Sequence, residues 1–461
     1  MEPALHKNPA IAVLFIHGIG EQKPMDTLRG FVKAIKNCLE KSDPREKYIP
    51  LMNKPDYISG NNETRILRLP KTRKRKRIDF YEFYWANMMK DTQTSYFIGW
   101  IIKLIFKTPQ EIPKNLRKVW YTIWGILIIA ILLSVYYAAY KLSLVLIPVI
   151  LITGIGLIFP IIKIVFKNIL TQYVGDAGRY FMPSPANIDV RYKIRKRGLE
   201  LLRELHNEDR YSRIIVVGHS LGSVIGYDLL RLLWPEYSEI HEVGEMDKTF
   251  DDIIEQINSL AIGKEEFDIK KYQDLQSKCL KEQNKLGQKW ITSDFITIGS
   301  PLLYLDYLTT KDVELKTSII EREFPSCPPV ADENKKADKE NYNIYYINNK
   351  NGVKTLHHAG LFALTRWTNI YFDKDPVGGP ARDVFKNYII QQPGNCESGK
   401  AISDGVGGIL DIEIKSKFSI FKLGGHTKYW NLCTKEECNG CNCTEPIGYI
   451  CRALRLYAKN E

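Results

Sequence analysis

Cysteine is scarce, with nine in 461 residues, and that density excludes a disulfide-built scaffold. No apolar core segment follows the first methionine. Met1 to Pro9 is polar, and the first apolar run reads as a strand, so no secretory leader is expected. No internal repeat recurs, which excludes solenoids and propellers. The densest basic run, Lys71-Thr72-Arg73-Lys74-Arg75-Lys76-Arg77, lacks interleaved aromatic residues. Without a stacking platform it does not read as a nucleic-acid groove. It reads as a solvated, membrane-facing cationic segment, and no nucleic-acid partner is expected.

What is present is mostly globular in character. The chain is 44% hydrophobic and 26% charged, with a mean hydropathy of −0.23. The formal net charge is +12. Position decides what such an excess serves, and here much of it flanks one apolar block. Within that block, 119–139 and 142–162 each run 21 residues without a charge. About 20 apolar residues in a helix span a bilayer core, so the pair predicts a two-helix transmembrane hairpin. Trp120, Tyr121, Trp124, Tyr136, Tyr137 and Tyr140 lie where interfacial aromatics would. Lys103, Lys107, Lys114, Arg117 and Lys118 precede the hairpin, Lys163, Lys167, Arg179, Arg191 and Lys193 follow it, and Lys141 alone lies between. The positive-inside rule then puts both flanks in the cytoplasm: an integral membrane protein whose partner is the lipid bilayer. Tyr96 to Phe106 is too short to span and reads as an interfacial or packed helix.

One stretch carries chemistry. Ile214-Ile215-Val216-Val217 predicts a short buried strand, Gly218-His219-Ser220-Leu221-Gly222 a sharp turn, and Val224 to Leu233 a helix. A G-x-S-x-G turn in that setting holds a serine hydroxyl out at the end of a strand. Ala10 to Ile16 predicts another buried strand, ending in His17-Gly18-Ile19-Gly20, a loop able to turn backbone N–H groups toward an anion. Further strands are predicted at Arg65–Leu69, Ile78–Trp85, Ser293–Ile298, Arg366–Phe372 and within Ile409–Leu423. Helices are predicted at Asp26–Glu40, Asp189–Leu205 and Ile447–Lys459. The charged, helical region 236–290 reads as a lid-like excursion.

A serine hydroxyl needs a base within reach, and that base needs a carboxylate to hold its tautomer. Among the eight histidines, His426 sits in a glycine-bearing loop between the last strand and the last helix. His357 and His358 are the alternatives. His219 and His17 fall inside the two loops already named, and His6, His206 and His241 lie on polar stretches away from strand ends. For the acid, Asp375 follows the strand Arg366–Phe372 in a D-P-V-G turn, and Asp373 and Asp306 are alternatives. Ser220, Asp375, His426 is the chain order of one known family.

HGIG at 17–20, GHSLG at 218–222, GSPL at 299–302, DPVGG at 375–379 and GHTKYW at 425–430 carry the resemblance. The chain resembles the α/β-hydrolase superfamily, within it the lipase and serine-esterase-like branch. That resemblance implies a mostly parallel sheet flanked by helices, interrupted here by the hairpin. It implies Ser220 as nucleophile, His426 as base, Asp375 as orienting acid, and an oxyanion hole from backbone N–H groups near Gly18 or Ile19 and at Leu221. It implies no cofactor and no catalytic metal.

The expected organisation is a hydrolase domain in two parts, 1–90 and 187–432, with a membrane insertion at 91–186 and a Cys-rich segment with a terminal helix at 433–461. Cys433, Cys438, Cys441 and Cys443, with Cys451 beyond, offer thiolates for a structural zinc, but their spacing matches no standard finger, and disulfides or free thiols are the alternatives. In this architecture the insertion leaves from the edge that carries Ser220. The expected substrate is therefore an acyl-ester lipid of the membrane. A thioesterase acting on acylated proteins and an inactive hydrolase-fold scaffold are the rival readings.

Overall fold

The structure is a computed structural model. It describes residues 9–18, 23–42, 48–89, 185–238, 248–261, 267–304, 315–330, 344–347, 354–375, 377–382, 384–385, 407–415, 426–430 and 445–457, with residue 180 and scattered positions between 108 and 136. The chain forms two compact units, Met1–Trp85 with Arg191–Glu461, and Ala86–Val190.

In chain order the elements are β1 (Ala10–Ile16), α1 (Asp26–Ser42), β2 (Met52–Pro55), β3 (Arg65–Leu69), β4 (Ile78–Phe83), α2 (Pro185–Asn207) and β5 (Tyr211–His219). Then come α3 (Leu221–Ser238), α4 (Lys248–Ala261), α5 (Ile269–Lys285), β6 (Thr292–Ile298), α6 (Leu315–Ile320), β7 (Tyr345–Ile347), β8 (Lys354–Leu356), β9 (Arg366–Phe372), β10 (Ile409–Ile414) and α7 (Pro446–Leu454). Eight strands form one sheet in the order β10-β9-β6-β5-β1-β4-β3-β2. The pairs from β10 across to β4 are parallel, and β3 and β2 add antiparallel at one edge. The architecture is α/β.

The apolar runs explain the central strands. Every residue of β1 is buried, as a strand covered by helices on both faces requires. Its odd-numbered side chains, Ile11, Val13 and Phe15, join one core with Leu28, Phe31 and Ile35 of α1 and Ile447, Ile450 and Leu454 of α7. Phe31 sits 4.8 Å from Phe15 between ring centroids, so Phe31→Ala would leave a cavity costing about 3–5 kcal/mol. On the other face lies α3. A Cβ at Gly226 would come within 3.0 Å of Phe295 and 3.4 Å of Ile16. Of the boundaries that shift from the sequence reading, two have plain local causes. Helix α2 begins at Pro185 rather than Asp189, because proline fits the first helical turn. Helix α7 stops at Leu454, where Arg455 takes a left-handed φ of 46°.

From β1 the chain runs to the edge strand β2 and builds inward through β3 to β4 beside β1, then crosses over to place β5 on the other side of β1. The crevice at the C-terminal ends of β1 and β5 is thus the switch point of the sheet, where open α/β sheets bind their ligands.

Two expectations change. Helix α5, read as part of a lid, is seated at the opposite end of the sheet. Tyr272 Oη donates to the Phe362 carbonyl at 2.6 Å, and Gln276 Nε2 donates to the carbonyls of Phe362 and Thr365 at 2.6 and 3.0 Å, just before β9 begins. Tyr272 and Gln276 thus supply donors to buried carbonyls of the loop before β9. The basic run 71–77 also lies at that far end, in the connection between β3 and the N-terminus of β4, and not beside Ser220. Nor is it wholly solvated. Arg75 is buried, and Arg77 pairs with the buried Asp79 at 3.5 Å.

The hairpin positions 142–162 lie outside the described residues, as do most of 119–139. Among the described residues no helix is long and apolar enough to cross a membrane. The described positions 120, 121, 124, 125, 128, 129, 131, 132, 135 and 136 are helical, and Ile128, Ile129, Ile131, Leu132, Val135 and Tyr136 are exposed.

Candidate active site

Four parallel strands deliver their following loops to one edge of the sheet. His17 and Gly18 follow β1, Ser220 follows β5, Gly299 and Ser300 follow β6, and Asp375 follows β9. Ser220 has a φ of 52°, a left-handed conformation that a serine adopts at a cost of roughly 1–2 kcal/mol. The surrounding framework holds it there. Its N–H donates to the Ile298 carbonyl at 2.9 Å, and its carbonyl accepts from the Ser223 N–H at 2.9 Å and the Ser223 hydroxyl at 2.5 Å. The Ser223 hydroxyl also lies 2.7 Å from that of Ser300. The turn is tight because it must be: a Cβ at Gly222 would come 2.1 Å from the Ile16 carbonyl oxygen. Ser220 Oγ is buried, with no hydrogen-bond partner among the described residues.

Gly18 abuts this serine, since a Cβ there would fall 2.7 Å from Ser220 Cβ. Leu221 is the first residue of α3, and the opening N–H groups of a helix have no carbonyl partner within it. Both residues thus lie beside Ser220. Ile19 lies outside the described residues. His17 holds its loop against β4. Its ring stacks on Trp85 at 5.2 Å, its carbonyl accepts from Trp85 Nε1 at 3.0 Å, and its Nδ1 lies 2.8 Å from the Gly18 carbonyl. Burial lowers its pKa to about 4, so the imidazole is neutral.

His426 and Asp375 meet directly: His426 Nδ1 lies 2.7 Å from Asp375 Oδ2, with both side chains fully buried. Asp375 Oδ1 accepts from the Val377 N–H at 2.9 Å. Burial raises the Asp375 pKa, but the His426 charge and the hydrogen bonds from His426, Tyr429 and Val377 outweigh it, and the net shift is downward. A carboxylate on Nδ1 fixes the proton there and leaves Nε2 as the basic nitrogen. This pair stands beside the loop after β6: a Cβ at Gly299 would fall 3.0 Å from His426 Cε1 and 3.2 Å from Asp375 Oδ2. The same residue forms the bond from its N–H to the Ile370 carbonyl at 2.9 Å. His219, next to Ser220, has its Nε2 3.0 Å from the His426 carbonyl and its ring centroid 5.0 Å from that of His426. Burial first, then the His426 charge, lowers its pKa to about 3, so it packs as a neutral ring.

The alternatives go elsewhere. Asp373 is half-buried and gives its N–H to the Ile414 carbonyl at 3.0 Å. His357 is held by the Val330 carbonyl at 2.9 Å, and His358 is exposed. His206 is buried against Trp290 with Nδ1 2.8 Å from the Leu202 carbonyl. Asp306, His6 and His241 lie outside the described residues, as do Cys433, Cys438, Cys441 and Cys443.

Sequence reasoning missed what holds the histidine turn. Trp430 packs edge-on against both Phe15 and Phe31 at 5.8 and 6.0 Å, and Tyr429 stacks on Phe372 at 4.4 Å. The signal was present as an aromatic pair three and four residues after His426. It also missed the clamp under the acid loop. Asp411 of β10 accepts from Asn369 Nδ2 at 2.6 Å and from the Ala381 and Arg382 N–H groups at 3.0 and 3.1 Å.

Comparison with protein-family models, curated proteins and solved structures finds no match to this chain.

Proposed function

We propose that the protein is a serine hydrolase of the α/β-hydrolase kind that cleaves acyl esters of membrane lipids. One observation carries the reading: Ser220 is held at left-handed φ between β5 and α3, on the sheet edge that also bears the buried His426–Asp375 pair. In this reading Asp375 holds the His426 Nδ1 proton and Nε2 takes the Ser220 proton. Ser220 Oγ then attacks the acyl carbonyl. The tetrahedral oxyanion forms beside Gly18 and the Leu221 N–H, each well-aimed donor contributing roughly 3 kcal/mol. His426 passes its proton to the departing alcohol, and water activated the same way releases the acid.

The lipid part rests on the insertion. The chain leaves the first unit just after β4, at the Ser220 edge, and enters a segment whose 119–139 and 142–162 stretches carry no charge. Exposed apolar side chains at 128, 129, 131, 132, 135 and 136 suit a hydrocarbon surround, and the ring cluster Trp120, Tyr121 and Trp124 suits an interface. A two-pass anchor with both flanks cytoplasmic would keep the hydrolase on the bilayer that holds such lipids. The test compares membranes expressing wild type and Ser220→Ala. Depletion of an acyl lipid by wild type alone supports the reading, and identical lipid profiles overturn it.

A further inference from the structure

Tyr429 lies three residues after His426, across one turn that ends on Trp430. Its hydroxyl makes two bonds of opposite sense. It accepts the Phe372 N–H at 3.1 Å and lies 2.6 Å from Asp375 Oδ2. With its acceptor side facing the backbone N–H, the phenol proton is directed at the carboxylate. That oxygen is the one that faces His426 Nδ1 at 2.7 Å. Two donors therefore converge on Asp375 Oδ2, one from the base and one from the phenol. The ring is fully buried and pressed on Phe372, so the hydroxyl has little freedom to turn away.

We propose that Tyr429 is a positioning residue that sets the basicity of His426 through Asp375. The proposal rests on the reading of Ser220, His426 and Asp375 as a triad. A phenol donating to Oδ2 spreads the carboxylate charge over a second hydrogen bond. Less charge then remains on the oxygen that faces Nδ1, so the phenol tunes how strongly Asp375 supports a proton taken up at Nε2. The phenol also fixes the plane of the carboxylate against rotation. Asp375, Tyr429 and His219 are titratable groups that pack against His426. His219 is neutral there, so it does not compete for this role. Tyr429 itself stays protonated, because burial and then the Asp375 charge raise its pKa well above the phenol range.

The experiment uses the full chain and a fluorogenic short-chain acyl ester, with Ser220→Ala as the blank. Tyr429→Phe keeps the stacked ring and removes the hydroxyl. It is expected to lower kcat about tenfold with little change in KM, because the carboxylate loses the bond that fixes its plane and His426 is held less well in line with Ser220. The acid limb of its kcat/KM profile is expected to move to higher pH. Site-specific 3-fluorotyrosine at 429, a stronger donor in an unchanged shape, is expected to move that limb to lower pH. Limbs that stay in place in both variants, while wild type hydrolyses the ester, overturn the Tyr429 inference alone. A wild type no faster than Ser220→Ala overturns the triad reading and the inference with it. If Tyr429→Phe fails to fold, the fluorotyrosine protein still gives the deciding shift.

Discussion

His426 Nδ1 lies 2.7 Å from Asp375 Oδ2, inside the protein and away from water. A carboxylate so placed selects one imidazole tautomer. Asp375→Asn keeps the size and puts an amide where the acceptor was. It is expected to lower kcat for ester cleavage by about 10³–10⁴-fold, since the histidine then presents the wrong nitrogen. Steady-state kinetics on a fluorogenic ester measures it.

Ser220 carries its φ of 52° as stored strain. Glycine meets no Cβ conflict in that conformation. Ser220→Gly is expected to abolish hydrolysis and to raise stability by about 1 kcal/mol, read as an increase in thermal midpoint. Ser220→Ala keeps the Cβ and is expected to abolish hydrolysis without that gain.

Asp294 lies between Arg213 and Arg366 at the far end of the sheet, 2.6 and 2.8 Å from their guanidinium nitrogens. Burial raises its pKa, and the two arginine charges overcome that, leaving it depressed below 3.8. A depressed carboxyl contributes stability above its unfolded value, and that contribution is lost as pH falls through the folded value. Asp294→Ala strands two buried cations and is expected to cost about 3–5 kcal/mol near neutral pH, with a smaller deficit in strong acid. Urea titrations across acid pH report the difference.

Glu82 has the opposite sign. Its Oε2 accepts the Met25 N–H at 2.6 Å, at the entry to α1. Burial raises its pKa from 4.5 to about 7 against the hydrogen bonds from Met25 and Leu28. Between those values the unfolded chain loses its proton first, so stability falls as pH rises and levels off above the folded value. Glu82→Gln removes this term. The stability of wild type relative to Glu82→Gln is expected to fall by about 3 kcal/mol across that window. Denaturation at both ends of the window measures it.

The central strands were legible because burial on both faces demands unbroken apolar runs, as in Ala10–Ile16 and Ile214–Val217. Strand β2 was not, since Met52-Asn53-Lys54-Pro55 is exposed throughout and carries no alternation. Its place comes from pairing with β3. The glycines around Ser220 announced the turn, because close approach there leaves room for no side chain. The choice of Asp375 over Asp373 depended on which carboxyl the β9 loop turns inward, and two residues of sequence do not carry that. Tyr429 was hidden for a similar reason: its meaning depends on the Phe372 N–H, which lies 57 residues away in the chain. Within the excursion 236–290, the seat of α5 was not legible, because charge and helical period describe a segment and not the end of the sheet where it docks.

The central claim is that Ser220 is an activated nucleophile. A fluorophosphonate probe reacts with such a serine and leaves a covalent mark that peptide mass spectrometry can locate. Full-length wild-type protein in native membranes is expected to carry the mark on Ser220, with labelling lost in Ser220→Ala and strongly reduced in His426→Ala. Folded wild-type protein that takes no label, or labelling equal in wild type and Ser220→Ala, would contradict it.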